Sequence, residues 1–210
     1  EPETQALMNL VANIRPVFDI SFHSYSELVI YPMGCQGERA INNEVVEPIG
    51  KKLGEMLDYT PGTSWETLYS VDGGDIDWMN AEYQVIPYVL EVNSTSEGFQ
   101  PPFATTRERT VKKVRVAWMY LLAQLEHNTT IGLVRNKRGN LGNKGVVEVS
   151  RYENGSYKKY THYRLDQMGR FHLVLPRGRY LIEATHEGQV LNSKEIYVQN
   201  NGQRNYIAIE

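Results

Sequence analysis

Residues 17–31 have the sequence VFDISFHSYSELVIY, in which two short apolar runs flank a polar segment. Residues 17–22 and 28–31 are rich in the β-branched and aromatic residues that favour buried strands. His23 stands at the carboxyl end of the first run. Open α/β sheets gather their ligand sites at the carboxyl ends of their strands, so this histidine is a first candidate for chemistry.

Helical patterns flank this stretch. Residues 4–14 carry apolar side chains at helical spacing, and Pro16 ends that pattern. Residues 38–58 predict one long or broken helix that Pro48 bends. The side chains predicted to face inward from this second helix are Ile41, Val45, Val46, Ile49 and Leu53.

The alternation of helix and strand continues to residue 127. We predict a turn at Pro61-Gly62, a short strand over 65–69 and a buried strand over 85–92. A helix follows to about residue 127, with Thr105 or Thr106 as its N-cap and an inward side formed by Val111, Val114, Trp118, Leu121, Leu122 and Leu125. Residues 1–127 are therefore predicted to form an α/β domain.

The pattern changes at residue 128, beyond which short β-type runs alternate with turn residues. Strands at this spacing are typical of a small all-β sandwich, which we predict over residues 128–210. The runs are 131–134, 145–151, 157–163, 170–175, 179–184, 194–198 and 206–209.

Composition excludes several classes of protein. The chain has 210 residues, with 22 Lys and Arg against 25 Asp and Glu and a net charge of −3. This near-neutral balance gives no electrostatic reason to expect a nucleic-acid partner. The apolar runs are far shorter than the ~20 residues of a membrane span, so no transmembrane segment is predicted. The single thiol, Cys35, cannot form an internal disulfide.

Two polar clusters in the first domain each have a structural and a functional interpretation. His23, in the segment SFHSYS at 21–26, is either a ligand-binding group or a buried histidine bonded to a backbone carbonyl. Tyr69 precedes the flexible loop of Gly73-Gly74 and could swing over a pocket, or simply pack at a loop edge. In the structural interpretation, Asp75 and Asp77 cap a short helix over 78–83.

A third candidate is Glu91, which lies in the apolar run IPYVLEV at 86–92. Burial of an unpaired carboxylate raises its pKa, which suits a general base at neutral pH. The alternative is an acid on an edge strand that points to water.

Together these residues resemble the zinc metallocarboxypeptidases of the carboxypeptidase A and T types, which cleave single C-terminal residues from peptides. The matching stretches are EPET at 1–4, SFHSYSELVIYPMG at 21–34, LYSVDGGDIDWMNAEYQVIPYVLEV at 68–92 and EGFQPPF at 97–103. The resemblance implies part of a mixed sheet with helices on both faces. It also implies that His23 is a zinc ligand, that Glu91 activates the zinc-bound water and that Tyr69 closes over the bound residue.

The resemblance also implies a substrate pocket. Ser24 and Tyr25 fall where the family binds substrate, Tyr25 in the next subsite outward, and the specificity pocket is formed by Ile30, Gly34, Ser64, Ile76 and Val89. Ile76 favours apolar or aromatic C-terminal residues, whereas Asp75 beside it favours basic ones. The choice stays open at this point.

Residues 128–210 resemble the transthyretin-like, or carboxypeptidase-regulatory-like, β-sandwich that follows the catalytic domain in some members. The stretches IGLVRNKRGNLGNKGVVEVS at 131–150 and LDQMGRFHLVLPRGRYLIEATHEG at 165–188 carry this likeness. In that interpretation His162, His172 and His186 are structural or surface residues.

The family's His-x-x-Glu pair, which supplies two zinc ligands, is absent from the sequence. We therefore expect one Zn²⁺ per complete catalytic domain, with the other two ligands on a preceding segment, and no activity in the chain alone. Peptide or protein C-termini are the expected substrate, and the N-terminal half of the same domain is the expected partner. The chain opens Glu1-Pro2 with no signal peptide, and the resemblance implies a secreted or periplasmic protein. The alternative function is a non-catalytic, carboxypeptidase-like binding or adhesion protein.

Overall fold

The computed structural model describes residues 1–127, 129–135, 144–199 and 205–209. They divide into two compact units. The first, here called the α/β unit, consists of Phe18–Ala81 and Val85–Gln124. The second, here called the β unit, consists of Glu1–Val17, Glu82–Gln84 and Leu125–Glu210. No helix in the described ranges is both long enough and apolar enough to cross a membrane.

The helices and strands follow one another in an order that separates an α/β part from an all-β part. They are α1 (Pro2–Ile14), β1 (Phe18–Ser24), β2 (Leu28–Tyr31), α2 (Asn43–Leu57), β3 (Thr60–Thr63), α3 (Ser64–Thr67), α4 (Asp75–Tyr83), β4 (Ile86–Val92), α5 (Phe103–His127), β5 (Thr129–Val134), β6 (Gly145–Glu153), β7 (Ser156–Arg164), β8 (Arg170–Val174), β9 (Gly178–His186), β10 (Gln189–Val198) and β11 (Asn205–Ile209).

The α/β unit is built on a four-stranded mixed sheet of order β1-β4-β2-β3. β1 pairs parallel with β4, β2 pairs antiparallel with β4, and β2 pairs parallel with β3. The predicted mixed-sheet α/β fold is thereby confirmed. Because the last strand in sequence inserts between the first two, residues distant in the chain become neighbours at the centre of the sheet.

Helix α2 covers one face of this sheet. Its Gly50 leaves no room for a side chain, since a Cβ there would lie 2.5 Å from the Tyr31 ring. The Tyr88 hydroxyl, fully buried, donates to the carbonyl of Val46 at 2.8 Å. Successive side chains on a strand point to opposite faces, so the neighbours of Tyr31 and Tyr88, Ile30 and Val89, face the other side of the sheet.

Two predicted inward faces need correction. Ile41 is 57% exposed because it precedes the first turn of α2. Helix α5 begins at Phe103, so Thr105 and Thr106 lie within it and are not N-caps. Its buried residues include Val114, Ala117 and Leu121, whereas three residues predicted to face inward are exposed: Val111, Trp118 and Leu122.

The segment from 60 to 69 also differs from prediction. Pro61 and Gly62 lie in strand β3, and residues 64–67 form a short helix where a strand was predicted. The helix is fixed by a capping box, in which the Glu66 carboxylate accepts from the backbone N–H of Thr63 at 3.0 Å. Pro61 is tolerated because β3 is at the edge of the sheet, where a missing N–H breaks no ladder.

The capping box gives a testable pH dependence of stability. Arg39 donates to Glu66 at 2.5 Å, and this bond, with those from Thr63, lowers the Glu66 pKa to about 2. A carboxyl whose pKa is lowered by folding stabilises the fold above its unfolded pKa, and this contribution is lost as pH falls through the folded value. Glu66→Gln is expected to reduce the free energy of unfolding by about 1 kcal/mol at neutral pH. Urea unfolding of both proteins checks this, and the difference should shrink below about pH 4.5. A difference that is independent of pH would contradict the assignment.

The β unit contains two sheets that share one core. Their orders are β10-β9-β6-β7 and β11-β5-β8, and every predicted β-type run is confirmed as a strand. Buried side chains from both sheets form the core: Val134, Val147, Val149, Tyr163, Leu165, Phe171, Leu173, Leu175, Tyr180, Ile182, Ala184, Val198, Ile207 and Ile209. His162, His172 and His186 are half-buried on β7, β8 and β9. Burial lowers the pKa of His172, because a low-dielectric surrounding disfavours the charged imidazolium.

Within the β unit, Arg15 fastens the end of α1. It is 8% exposed, and its guanidinium lies 4.1 Å from the centre of the Tyr83 ring. It donates to the carbonyl of Ala12 at 2.7 Å and to that of Arg164 at 3.4 Å. A buried guanidinium needs acceptors or an aromatic face, and here it has both.

Candidate functional site

The site lies on the face of the α/β sheet opposite α2. His23 on β1 and Glu91 on β4 are direct partners in the parallel register, near the carboxyl ends of both strands. Their side chains approach to 3.9 Å between His23 Nδ1 and Glu91 Oε1. The His23 side chain is 56% exposed and that of Glu91 only 12%, so an accessible imidazole stands beside a shielded carboxylate.

The electrostatics of Glu91 follow from this position. Burial raises its pKa, because a low-dielectric surrounding disfavours the charged form, and the neighbouring His23 opposes that rise. A carboxylate with a raised pKa accepts a proton more readily than one on the surface.

A cavity of about 220 Å³ opens beside these two groups. It brings together every predicted site residue except Ser24 and Tyr25. Its lining consists of His23, Ile30, Gly34, Ser64, Leu68, Tyr69, Val71, Gly74, Asp75, Ile76, Asp77, Val89 and Glu91.

Tyr69 occupies the exposed side of the cavity. Its side chain is 68% exposed, and it is followed by a loop in which Gly73 adopts a positive φ of 75°. This placement leaves the ring free to move over the cavity mouth, as the sequence suggests for Tyr69. The mobility itself stays a prediction.

The loop that follows Tyr69 is fastened to the segment after β2 through Gly34. The Asp77 carboxylate accepts the Gly34 N–H with both oxygens, at 2.9 and 3.1 Å, and the Gly34 carbonyl accepts from the Val71 N–H at 3.0 Å. A Cβ on residue 34 would lie 2.8 Å from the Val71 carbonyl, so only glycine fits. Asp77 therefore serves as a bridge between distant segments, which corrects its predicted role as a helix cap.

Ser24 and Tyr25 are not among the cavity-lining residues. The Ser24 hydroxyl donates to the carbonyl of Phe99 at 3.1 Å, and Tyr25 is 37% exposed. Ser24 follows His23 on the strand, so its side chain leaves the opposite face of the sheet. A substrate-binding role for these two residues stays a prediction.

Sequence patterns alone do not identify several of the lining residues, or the acidic Asp19 on β1, as part of the site. Leu68, Val71, Gly74 and Asp77 line the cavity, and the pKa of Asp19 is raised by burial and by the charge of Asp75. Asp19 lies four residues before His23 on β1. Because successive side chains on a strand alternate between the two faces, both side chains belong to the same face of the sheet. That alternation was readable in the sequence, but the proximity to Asp75 was not.

The donor atoms of this chain do not by themselves fit a catalytic zinc ion. Such an ion takes three protein ligands and keeps one position open, and the site described here offers one accessible imidazole, His23. Across the described ranges, no group of three or more His, Cys, Asp or Glu side chains is placed to hold a metal. A complete ion site therefore needs ligands from outside these residues.

Comparison with known proteins gives consistent matches to one family. A family model described as zinc carboxypeptidase matches residues 1–115. A zinc carboxypeptidase of Simulium vittatum is 28% identical over 128 residues, which are 54% of this chain and 42% of that protein. Carboxypeptidase A1 of Sus scrofa is 28% identical over 137 residues, which are 60% of this chain and 31% of that protein.

Among solved structures, the chain is similar to bovine thrombin-activatable fibrinolysis inhibitor in complex with tick carboxypeptidase inhibitor. The TM-score is 0.50 at 26% identity, and the match covers 56% of this chain and 43% of the other. The chain thus spans less than half the length of each of these relatives.

Proposed function

Because the chain belongs to the zinc carboxypeptidase family, we propose that it supplies the C-terminal part of a carboxypeptidase active site. The observation that carries the proposal is the pairing of His23 with Glu91 beside a cavity of about 220 Å³. His23 is assigned as the one zinc ligand on this chain, and the cavity as the pocket for the side chain of the C-terminal residue. The substrates are peptide or protein C-termini.

Glu91 is the general base of the proposed hydrolysis. Its carboxylate takes a proton from the attacking water, whose oxygen bonds to the scissile carbonyl carbon. The same carboxyl then gives that proton to the leaving amine as the C–N bond breaks. The shielded position of Glu91 supports this role, since its side chain is only 12% exposed and burial raises its pKa, which makes the carboxylate a better proton acceptor.

The proposed partner is the N-terminal half of the same catalytic domain, which would provide the two further zinc ligands. Strand β1 supports this assignment, because it is the terminal strand of its sheet and pairs with β4 on one side only within the described residues. Phe22 on this strand is 52% exposed. A free edge carrying an exposed aromatic side chain is a surface that another strand can cover.

Two further assignments rest on the family resemblance. We assign the two-sheet β unit to the transthyretin-like type, and the protein to a secreted or periplasmic location. The single cysteine, Cys35, is compatible with an oxidising compartment because it leaves no second thiol for a wrong internal pairing.

Intact mass and zinc content of the purified protein, under native and denaturing conditions, test the proposed function. We expect a second polypeptide segment, covalently joined or bound, and about one zinc ion per complex. A peptide assay should then show release of single C-terminal residues. A metal-free 24.1 kDa chain without hydrolysis would overturn the catalytic proposal and favour the alternative of a non-catalytic binding protein.

A further inference from the structure

The α/β unit contains a larger cavity of about 380 Å³, here called the second cavity. It lies at the edge of the sheet where β4 ends and β2 begins, since Asn93 directly follows β4 and Glu27 directly precedes β2. Helix α5 forms another part of its wall. Within the part of the chain that the structure describes, it shares no lining residue with the cavity beside His23 and Glu91. Its volume lies in the range of small-molecule sites, about 300–1,000 Å³.

Two ion pairs line the second cavity. Lys113 Nζ donates to Glu27 Oε1 at 3.0 Å, and Arg109 Nη2 donates to Glu97 Oε1. Arg109 and Lys113 are four residues apart on α5, so both project from the same face of the helix. The two acids come from the segments before β2 and after β4. The described lining therefore has no net charge but presents both signs of charge inside one cavity.

The two cations keep donor capacity beyond these ion pairs. An ammonium carries three N–H groups and a guanidinium carries five. Among the described residues, Lys113 and Arg109 each donate to a single carboxylate. Lys113 Nζ also lies 4.3 Å from the centre of the Tyr59 ring, which helps to hold it at the wall. Both side chains are at least partly exposed, so a carboxylate with two oxygens can reach both of them.

The two acids differ in how far they are engaged. Glu97 uses both oxygens, since Oε1 accepts from Arg109 and Oε2 accepts from the Ser94 backbone N–H at 3.0 Å and from the Ser94 hydroxyl at 3.1 Å. Glu27 accepts with Oε1, whereas its Oε2 accepts from no group in the described ranges. The Glu27 side chain is also partly exposed. Glu27 is therefore the acid that can accept from a ligand.

We propose that the second cavity binds a small zwitterion of the α-amino acid type, with its carboxylate on Arg109 and Lys113 and its ammonium on Glu27. A ligand with one charge would unbalance the neutral lining, whereas a zwitterion leaves it balanced. The two charged groups of an α-amino acid are attached to one carbon. Lys113 and Glu27 likewise present opposite charges side by side, 3.0 Å apart. The inference is independent of the proposed function, because no residue of the second cavity takes part in the proposed hydrolysis.

The test uses three probes of one carbon skeleton: L-alanine, propionate, which lacks the ammonium, and ethylammonium, which lacks the carboxylate. Their affinities for the ¹⁵N-labelled complete protein are measured from backbone amide chemical shifts at neutral pH. L-alanine is expected to bind at least about tenfold more tightly than either other probe, because each of those lacks one charged contact. The shift changes should centre on residues 93–97 and 109–113.

Variants assign the two halves of the ligand to their partners. Lys113→Gln and Arg109→Gln should each weaken the binding of both L-alanine and propionate by about 10- to 100-fold. Glu27→Gln should weaken L-alanine by a similar factor and leave propionate binding undiminished, so that propionate also reports that this variant is folded. The control, Lys112→Gln, removes the exposed neighbour of Lys113 from outside the lining and should change no affinity by more than about threefold.

Three outcomes would overturn the inference. They are equal affinities for L-alanine and propionate, L-alanine binding that both Lys113→Gln and Arg109→Gln leave unchanged, and no shift change at about 50 mM of any probe. In the last case the two ion pairs serve only to fasten the segments around Glu27 and Glu97 to α5. Because binding is measured without turnover, none of these results bears on the proposed hydrolysis, and absence of hydrolysis would leave the zwitterion site standing.

Discussion

Replacement of Glu91 by glutamine is expected to lower kcat/KM for peptide hydrolysis by about 10²- to 10⁴-fold in the complete protein, with zinc content unchanged. Glutamine preserves the size and one acceptor oxygen of the side chain but cannot take a proton from water at neutral pH. Glu91 is shielded within the central strand β4 and is a base, not a ligand, in the proposed mechanism. Kinetics and metal analysis of the same preparation give both quantities.

His23→Ala is the matched comparison for this result. The two residues are direct partners across β1 and β4, so both substitutions are made at adjacent positions of the sheet. His23→Ala should lose bound zinc, because an alanine offers no donor atom. Loss of zinc in Glu91→Gln protein, or full activity in that protein, would contradict the role assigned to Glu91. Retention of zinc at full occupancy in His23→Ala protein would contradict the role assigned to His23.

Gly132→Ala is expected to destabilise the β unit by about 3 kcal/mol. Gly132 on β5 is the cross-strand partner of Phe171 on β8, and the Phe171 ring is fully buried. A Cβ on residue 132 would lie 1.9 Å from the ring. The ring cannot move aside without disturbing the core that both sheets share. Chemical denaturation followed by tyrosine fluorescence or circular dichroism measures the change.

Two further variants establish why Gly132→Ala reduces the stability of the β unit. Gly188→Ala lies in a turn with a φ of 76° and open space around it, so it should cost only the ~1–2 kcal/mol of a left-handed alanine. Adding Phe171→Leu to Gly132→Ala removes the colliding ring atoms and should cost less than the two single changes combined. Additive effects in that double variant would show that the collision is not the cause.

The strands were largely predictable from sequence, because β-branched and aromatic runs between turn residues have one dominant interpretation. The segment 60–67 was not, although Thr63 and Glu66 have the spacing of a capping box. The nearby Pro61-Gly62 pair outweighed that signal. On α5 the buried face includes the small residue Ala117, whereas the larger apolar residues Trp118 and Leu122 are exposed, so side-chain size is a poor guide to the inward face of this helix.

The residues of the candidate site could be predicted from sequence only in part. His23, Glu91 and the pocket residues came from their resemblance to a family, and the structure brings most of them around one cavity. Asp77 was assigned to a helix cap because its true partner, the Gly34 N–H, is remote in the chain. The charge of Asp75 acts on Asp19 only because the fold brings two segments together that are 56 residues apart in the chain. Local sequence patterns identify candidate residues, but the tertiary fold determines which groups each side chain contacts.

The strand order of the α/β sheet has a consequence for the nascent chain. β1 and β2 are synthesised early, but the position between them belongs to β4, which emerges after α2, β3, α3 and α4. The early strands must therefore remain apart, each with an uncovered edge, until β4 is available to join them. Exposed strand edges favour pairing with other chains, so this interval is when aggregation competes with folding. The number of residues that must be synthesised between β2 and β4 is set by the topology, so a substitution in either early strand leaves that number unchanged.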